Sequence, residues 1–359
     1  MKILFVSAFP PCEKTAGQDY TRRLVNDLIE NGHSVSLIYF EYPEHEVIIS
    51  SKVNIIMKLT PSLKNCFSKI FLHPFYTKRF NKQLLNYLKE NSNEYDMLYL
   101  DFSQVHIYSL YIQHPNKVLM CHDVIAQKFS RKNKWNLPWI MYSEKKILKT
   151  AKQIITFSNK DSNYIKTSYG LSAKNVNFYL KNGKYNYDSI TILNNTFCFY
   201  GAWNRAENYE CLLWFINNVY SKLNKNINFL IIGGGMDKKL QDIIKQYSNI
   251  SYLGFVKDPV KEVSKCQALI APLKKGAGVK VKVIDALSSG TPVIGTSVAF
   301  EGITDNDTCK LFYLNQTASN FIKTINEWNN ITINYKQKSA DEFFNKYNEN
   351  HFIDYINSK

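Results

Sequence analysis

The chain has 359 residues, 45% of them hydrophobic, and its 45 Lys and Arg exceed its 30 Asp and Glu to give a formal net charge of +15. This size suits two domains with separate cores, and the charge favours an anionic partner such as a nucleotide, a nucleic acid or an anionic membrane, although a solvated basic surface explains it equally well. The seven cysteines are scattered without C-x-x-C spacing, which argues against a zinc site or a disulfide framework and for a reducing cytoplasm.

The N-terminal half begins as an alternation of strands and helices. The apolar run over residues 2–7 predicts a buried strand and is too short for a signal peptide. An amphipathic helix is predicted over 20–31, ending at Gly32, and a second strand over 34–40. No apolar run reaches the roughly 18–20 residues that span a bilayer. Further strands are predicted over 97–100, 117–120 and 153–157.

A second series of the same kind occupies the C-terminal half. Strands that alternate with helices indicate α/β layers around a parallel sheet. We therefore interpret residues 1–180 as a first domain, 181–195 as a linker rich in Asn, Lys and Tyr, and 196–335 as a second domain, followed by a lone amphipathic helix over 341–357. The second series predicts strands over 196–200, 227–232, 250–253 and 268–272, and helices over 209–223, 238–246 and 260–264.

The segment LKKGAGVKVKVIDALSSGTPVIGTSVAFEGI, residues 273–303, predicts a phosphate-binding arrangement. Lys280 and Lys282 come just after Gly276 and Gly278. A loop of small residues lets backbone N–H groups approach an anion, and the start of a helix adds partial positive charge there. The alternative is that both lysines lie on the solvated face of a strand or helix.

Several segments together resemble the GT-B-fold glycosyltransferases of the family-4 type, the glycosyl transferases group 1. In the C-terminal half these are FYGAWNRAENYECLLWF, INFLIIGGG, ISYLGFVKD and the long segment that ends in FEGI. The N-terminal half adds MKILFVSAFPP, AGQDYTRRLVNDLIENGHSV, CHDV and ITFSNKDSNYI. The resemblance implies two Rossmann-like domains that face each other across a cleft, with the nucleotide on the second domain and the acceptor on the first. It also implies that the helix over 341–357 crosses back to the first domain.

The resemblance gives residues of the long segment roles in donor binding. Lys280 and Lys282 match basic residues that stabilise the charge on the leaving diphosphate. Asp285 stands where relatives carry the second acid of an E-x(7)-E pair, which accepts hydrogen bonds from the ribose hydroxyls. The first acid of that pair is replaced by Ala277. The alternative for Asp285 is a helix residue exposed to water.

The loop after the predicted strand 196–200 departs from the family pattern. Many relatives grip the diphosphate with an Arg just after the residue equivalent to Gly201 and with a Lys further on, and these positions are Ala202 and Asn208 here. Arg205 lies between them and is predicted to substitute, because a guanidinium fork matches phosphate geometry. A surface-loop arginine is the alternative. Gly201 and Asn208 are still predicted to belong to the nucleotide-binding loop.

The remaining site residues implied by the resemblance are spread over both domains. Gly233 begins a run of three glycines that lets a helix pack close to the sheet and opens the nucleotide side of the cleft. Glu301 matches an acid near the ribose or phosphate, or else favours a helix N-terminus. Gly17 matches a loop that approaches the diphosphate, or is an ordinary turn glycine. His122 matches a histidine beside the donor sugar, or is a capping or core histidine. Asp123 would be a base in an inverting enzyme or a helix cap in a retaining one.

Two segments of the first domain combine basic and aromatic residues. Residues 64–89 hold six Lys and Arg and no acid, and 128–139 add four more beside Trp135 and Trp139. Basic residues near anionic lipid and aromatic residues at the interface favour peripheral docking on the inner membrane face. An amphipathic helix that packs its aromatic residues into the core is the alternative.

The sequence thus predicts a metal-independent glycosyltransferase of the hexosyltransferase type in bacterial surface polysaccharide or glycolipid biosynthesis. The donor would be a UDP- or GDP-linked sugar with no further cofactor, the acceptor a glycan or a lipid-linked glycan, and the location the cytoplasm or the inner face of the plasma membrane. The resemblance implies retention of configuration. A non-catalytic GT-B subunit and a sugar-nucleotide epimerase are the alternatives. The chain lacks the G-x-G-x-x-G motif that a dehydrogenase needs, and it contains no recognisable nucleic-acid-binding motif.

Overall fold

The computed structural model describes residues 1–61, 71–130, 135–180, 185–188, 190–276, 278–303 and 310–357. It divides into two compact units: unit 1 comprises Met1–Tyr179 and the C-terminal segment from Asn350, and unit 2 comprises Leu180–Glu349. Each unit contains one parallel sheet with helices, which confirms the predicted α/β class.

Unit 1 is built on a seven-stranded sheet. Its strands are β1 (Lys2–Ser7), β2 (Ser34–Phe40), β3 (Asn54–Leu59), β4 (Met97–Asp101), β5 (Lys117–Cys121), β6 (Gln153–Thr156) and β7 (Lys174–Asn175), in the order β3-β2-β1-β4-β5-β6-β7. Its helices are α1 (Ala16–Glu30), α2 (Pro74–Thr77), α3 (Lys82–Asn91), α4 (Ile125–Ser130), α5 (Leu137–Leu148) and α6 (Asn159–Tyr169). The central strands are buried along their whole length, as parallel strands covered on both faces must be, which explains their continuous apolar sequence.

Unit 2 is built on a six-stranded sheet. Its strands are β8 (Thr196–Tyr200), β9 (Asn228–Ile232), β10 (Ile250–Gly254), β11 (Leu269–Ala271), β12 (Val293–Gly295) and β13 (Phe312–Leu314), in the order β10-β9-β8-β11-β12-β13. Its helices are α7 (Ala206–Asn218), α8 (Lys238–Ile244), α9 (Pro259–Ser264), α10 (Val281–Ser288), α11 (Ala318–Asn326) and α12 (Ile333–Tyr347). None of the described helices of either unit is both long and apolar enough to cross a membrane.

Each sheet has a topological switch point beside its first strand. In unit 1, β1 lies between β2 and β4, and in unit 2, β8 lies between β9 and β11. The chain therefore leaves the first strand toward one side of the sheet and later returns to its other side. In α/β proteins such a reversal leaves a crevice at the carboxyl ends of the strands, and ligands bind there.

The prediction of a single C-terminal helix over 341–357 is wrong. The structure has two helices there: α12, which belongs to unit 2, and the short α13 (Phe352–Asn357), which belongs to unit 1. Between them Asn350 has φ +59°, a left-handed conformation that a right-handed helix cannot contain and that asparagine tolerates. The Asn350 side chain then donates to the Asn175 carbonyl at 3.0 Å, which ties the last segment to unit 1.

The described part of the segment expected as a linker packs onto unit 2. Tyr187 and Ile190 are buried in a small cluster with Ala340 of α12. The Tyr187 hydroxyl also donates to the Ser289 carbonyl. Residues 181–184 and 189 lie outside the described residues.

Candidate active site

A hydrogen bond joins the two loops at the switch point of unit 2. Asn208 lies in the first turn of α7, after β8, and Lys282 in the first turn of α10, after β11. Lys282 Nζ donates to Asn208 Oδ1 at 2.7 Å, and Asn208 Nδ2 donates to the Ala202 carbonyl at 2.8 Å. Burial lowers the pKa of Lys282, and the nearby Cys211 and Glu207 oppose this shift only in part. A cationic group thus lies where the crevice opens.

Two glycines allow these loops to come together. A Cβ atom at Gly201 would lie 2.6 Å from Asn208 Nδ2. Gly233, at φ +112°, lies so close to the backbone of Gly201 that a Cβ atom there would be 2.1 Å from the Gly201 carbonyl oxygen. The predicted site residues Gly201, Gly233 and Asn208 are therefore neighbours. Because Gly233 has no side chain, its backbone can contact the loop after β8.

Lys280 forms the second cationic position. It lies immediately before α10, and its Nζ donates to the Gly278 carbonyl at 2.5 Å and lies 3.6 Å from the Glu301 carboxylate. Gly276 has φ +121° and Gly278 φ +66°, so both use a backbone conformation that favours glycine. The structure thus brings Lys280, Glu301 and both glycines into one cluster, while Ala277 lies outside the described residues.

Asp285 and Arg205 differ in their surroundings. Asp285 is 5% exposed, so the alternative of a water-exposed helix residue is wrong. Its partner is Tyr200 at the carboxyl end of β8, whose pKa is raised first by burial and then by the Asp285 carboxylate, with which the phenol makes a hydrogen bond. Arg205 is exposed and precedes α7 without capping it through its side chain.

The predicted residues of unit 1 also meet at a switch point. His122 follows β5, and its Nε2 lies 2.8 Å from Oδ1 of Asp101, the last residue of β4. The His122 ring stacks on Phe102, with centroids 3.7 Å apart and planes inclined by 9°. A Cβ atom at Gly17 would lie 2.9 Å from Phe102 Cε1 and 3.2 Å from His122 Nδ1. Asp123 lies 3.7 Å from the exposed Lys128 ammonium.

Sequence analysis missed three residues of these clusters. Asp101 ends the apolar run MLYLD, and a carboxylate at the end of a buried parallel strand was a usable signal. Tyr200 likewise ends β8. Phe102 has φ +67°, a strained conformation for an aromatic residue that often marks functional sites, and nothing in the sequence indicates it.

Two family profiles match the chain. One is described as Glycosyltransferase Family 4 and matches residues 17–178, and the other as Glycosyl transferases group 1 and matches residues 194–328. A curated relative, an uncharacterized 44.6 kDa protein in the cps region of Klebsiella pneumoniae, is 29% identical over 135 residues. That match spans 34% of this chain and 34% of the relative's length.

Several solved structures resemble the chain over nearly its whole length. S. aureus TarM in complex with Fondaparinux, alpha-GlcNAc-glycerol and UDP has a TM-score of 0.69 at 12% identity and covers 97% of each chain. HepE of Anabaena in complex with UDP has a TM-score of 0.67 at 12% identity over 97% of this chain and 96% of that one. WaaG, a glycosyltransferase involved in lipopolysaccharide biosynthesis, has a TM-score of 0.64 at 13% identity over 97% of this chain and 95% of that one. At these identities the likeness establishes the fold.

Proposed function

Since the chain belongs to the GT-B glycosyltransferases of the family-4 type, we propose that unit 2 binds a nucleotide-diphospho-sugar and that unit 1 binds the acceptor. The observation that carries this proposal is the placement of Lys280 and Lys282 beside Gly276 and Gly278 at the switch point of unit 2. Two cations beside a glycine loop at the carboxyl edge of a sheet form a site for a diphosphate.

The two lysines would stabilise the leaving group. Negative charge develops on the diphosphate as the bond to the sugar breaks, and fixed cations in a partly buried site stabilise that charge. Because Lys280 and Lys282 would supply the positive charge that a divalent metal supplies in other transferases, we propose a metal-independent reaction. Asn208 would orient Lys282, and Arg205 would add a third cation from the β8 loop.

We propose retention of configuration, as the family resemblance implies. The leaving phosphate would then accept the proton of the acceptor hydroxyl, so that no protein base is required. His122, held by Asp101, would lie beside the donor sugar, and Asp285, Glu301 and Gly233 would line the nucleotide. The UDP in the TarM and HepE structures supports a uridine nucleotide, and the UDP-glucose in another HepE structure supports a hexosyl donor.

One curated relative and one structural neighbour support a role in bacterial surface polysaccharide or glycolipid assembly. The Klebsiella relative lies in a cps region, and WaaG acts in lipopolysaccharide biosynthesis. We therefore propose a glycan or lipid-linked glycan as the acceptor.

A thermal-shift panel of UDP, GDP, ADP and CMP tests the donor proposal. The correct nucleotide at a hundredfold excess over its dissociation constant should stabilise the protein by about 2.7 kcal/mol. Lys280→Ala/Lys282→Ala should abolish this stabilisation. Lys274→Ala/Lys275→Ala is the matched control, because these lysines belong to the same loop but are exposed and contact Trp214 and Glu210. Stabilisation that survives in the first variant would contradict the proposal.

A non-catalytic GT-B subunit is the second candidate. The observation that favours it is that Asn208 occupies a position where many relatives carry a lysine, and that it engages Lys282. A binder would be stabilised by a nucleotide without releasing it from a nucleotide sugar. An epimerase would convert the sugar without an acceptor, so product analysis with and without acceptor separates all three.

An exposed aromatic group in unit 1 supports peripheral membrane docking. Trp135 is 94%, Phe71 81% and Tyr142 55% exposed, and Lys146 lies over the Tyr142 ring at 5.7 Å. In contrast, Leu72 and Tyr76 of the predicted segment 64–89 are buried, as the core-packing alternative requires, and residues 62–70 and 131–134 lie outside the described residues.

Liposome flotation tests the docking proposal. Anionic vesicles should carry the protein and neutral vesicles should not, because basic residues contribute about 1 kcal/mol each near anionic lipid. Trp135→Ala/Tyr142→Ala should weaken flotation. Phe255→Ala, which removes an 86% exposed ring of unit 2, is the control. Equal binding of the wild type to both vesicle types would contradict the proposal.

A further inference from the structure

A buried arginine in unit 1 has no anionic partner among the residues that the structure describes. Arg79 follows α2 and is 6% exposed, and its buried Nη1 makes no hydrogen bond with any residue that the structure describes. The guanidinium instead lies over two aromatic rings, 4.5 Å from the centroid of Phe9 and 5.3 Å from that of Phe40. Burial lowers the pKa of Arg79 to about 10, so the group remains charged at neutral pH. An unpaired buried cation is unfavourable, and an anion that reaches it would relieve that cost.

The position of Arg79 relates it to the candidate site. Phe9 follows β1, Phe40 ends β2, and both lie at the carboxyl edge of the sheet. The Phe9 ring contacts Phe102 edge-on at 5.0 Å between centroids, and Phe102 stacks on His122 at 3.7 Å. Two aromatic rings in contact therefore separate the guanidinium from the predicted catalytic histidine. Ligands of α/β proteins bind at this edge.

We propose that Arg79 binds an oxyanion, a phosphate or a carboxylate, carried by the acceptor substrate. This inference rests on the proposed function, in which unit 1 binds the acceptor. A guanidinium presents paired N–H groups that match both oxyanions, and its stacking on Phe9 holds the fork in one plane. A neutral glycan would leave Nη1 without a charged partner, so Arg79 selects charged acceptors over neutral ones.

The test uses thermal unfolding of the full-length protein carrying Lys280→Ala/Lys282→Ala, which removes the cations proposed for the donor. Inorganic phosphate and, separately, glucuronate are titrated, with sodium chloride at matched ionic strength as the reference. At least one of the two anions should raise the unfolding midpoint above the chloride reference, and the better one identifies the oxyanion class. Adding Arg79→Met should weaken the apparent affinity at least about tenfold, the loss of one charge-assisted hydrogen bond.

A second readout separates binding from a structural role. Without any anion, Arg79→Met should unfold at the same or a higher temperature, because it removes an unpaired buried charge. A purely structural cation–π contact predicts a lower midpoint. Should Arg79→Met fail to fold, Arg79→Gln gives the same comparison.

No midpoint rise with either anion while Arg79 is intact, or an equal rise after its substitution, overturns the inference. UDP binding to the protein with intact lysines is measured independently. Loss of the UDP effect alone would reject the donor proposal, and loss of the anion effect alone would reject the role of Arg79.

Discussion

His122 Nε2 and Asp101 Oδ1 lie 2.8 Å apart, and the Asp101 carboxylate is fully buried. Its other oxygen accepts from the Thr21 hydroxyl at 2.5 Å. Because an ionised carboxylate only accepts hydrogen bonds, the pair fixes a proton on His122 Nε2 and fixes the orientation of the ring. The ring is further confined by Phe102 on its face and by Gly17 beside Nδ1.

Asp101→Asn should therefore lower the rate of sugar transfer while leaving the protein folded. Replacing the carboxylate removes a charge-assisted hydrogen bond worth about 1.5–3 kcal/mol, which corresponds to about 10–100-fold in rate. Release of the nucleotide diphosphate in the presence of acceptor measures the effect. Thr21→Val is the control, because it removes a different donor from Asp101 and leaves the His122 pair intact. An unchanged rate for Asp101→Asn would show that the pair does not serve transfer.

Lys282 should make donor binding sensitive to alkaline pH. Burial lowers its pKa, so it loses its proton below the ordinary lysine range. The charged form attracts the diphosphate and the neutral form does not, so the affinity for UDP should begin to fall at a pH below the ordinary lysine value of 10.5. Lys282→Arg should flatten this fall, since arginine stays charged. Lys280→Arg should retain it, and a wild-type affinity independent of pH would contradict the assignment.

The sequence predicted the inner strands better than the outer ones, for a physical reason. Strands β1, β2 and β8 are buried on both faces, so their apolar runs have clear limits, and their predicted bounds are confirmed. The outer strands β3 and β13 were missed. β3 buries only one of its six residues and β13 has only three residues in all, which leaves little apolar signal in either.

Some parts of the candidate site were likewise predicted from the sequence and others were not. The cluster of the glycine loop and Lys280 was predicted, because its residues are close in the chain. The partner of Lys282 was not, because Asn208 lies 74 residues away and the register of β8 and β11 alone brings them together. Likewise, Asp101 ends β4 and His122 follows the neighbouring strand β5, 21 residues later, and no local pattern pairs them.

Gly233→Ala should destabilise unit 2 and weaken donor binding together. The added Cβ would lie 2.1 Å from the Gly201 carbonyl oxygen, a backbone atom that cannot move alone, and φ +112° adds strain. The expected loss is about 2–4 kcal/mol in the free energy of unfolding. Gly254→Ala is the matched control, because its φ of +69° is also strained but the space around it is open, so about 1 kcal/mol is expected. Urea unfolding of the two variants measures both losses of stability, and equal losses would show that the contact with Gly201 does not matter.

Lys336 should make the stability of unit 2 rise with pH. Its ammonium group is fully buried on α12 and donates to the carbonyls of Ser264 and Cys266 and to the Thr291 hydroxyl. Burial lowers its pKa to about 8 from an ordinary value of 10.5. Between these values the unfolded chain binds the proton and the folded chain does not, so the free energy of unfolding increases with pH. Below the folded pKa the cost of burying the charge is present in full.

The gain should be on the order of 2 kcal/mol between about pH 8 and pH 9.5, a window that avoids most tyrosine ionisation. Urea unfolding across that window measures the slope, and Lys336→Met should remove this contribution. The variant is expected to be less stable at every pH, since three acceptors lose their donor, so the comparison concerns the slope alone. If both proteins gave the same slope, Lys336 would carry the same proton in the folded and unfolded chains, and its buried position would have to be explained by its hydrogen bonds alone.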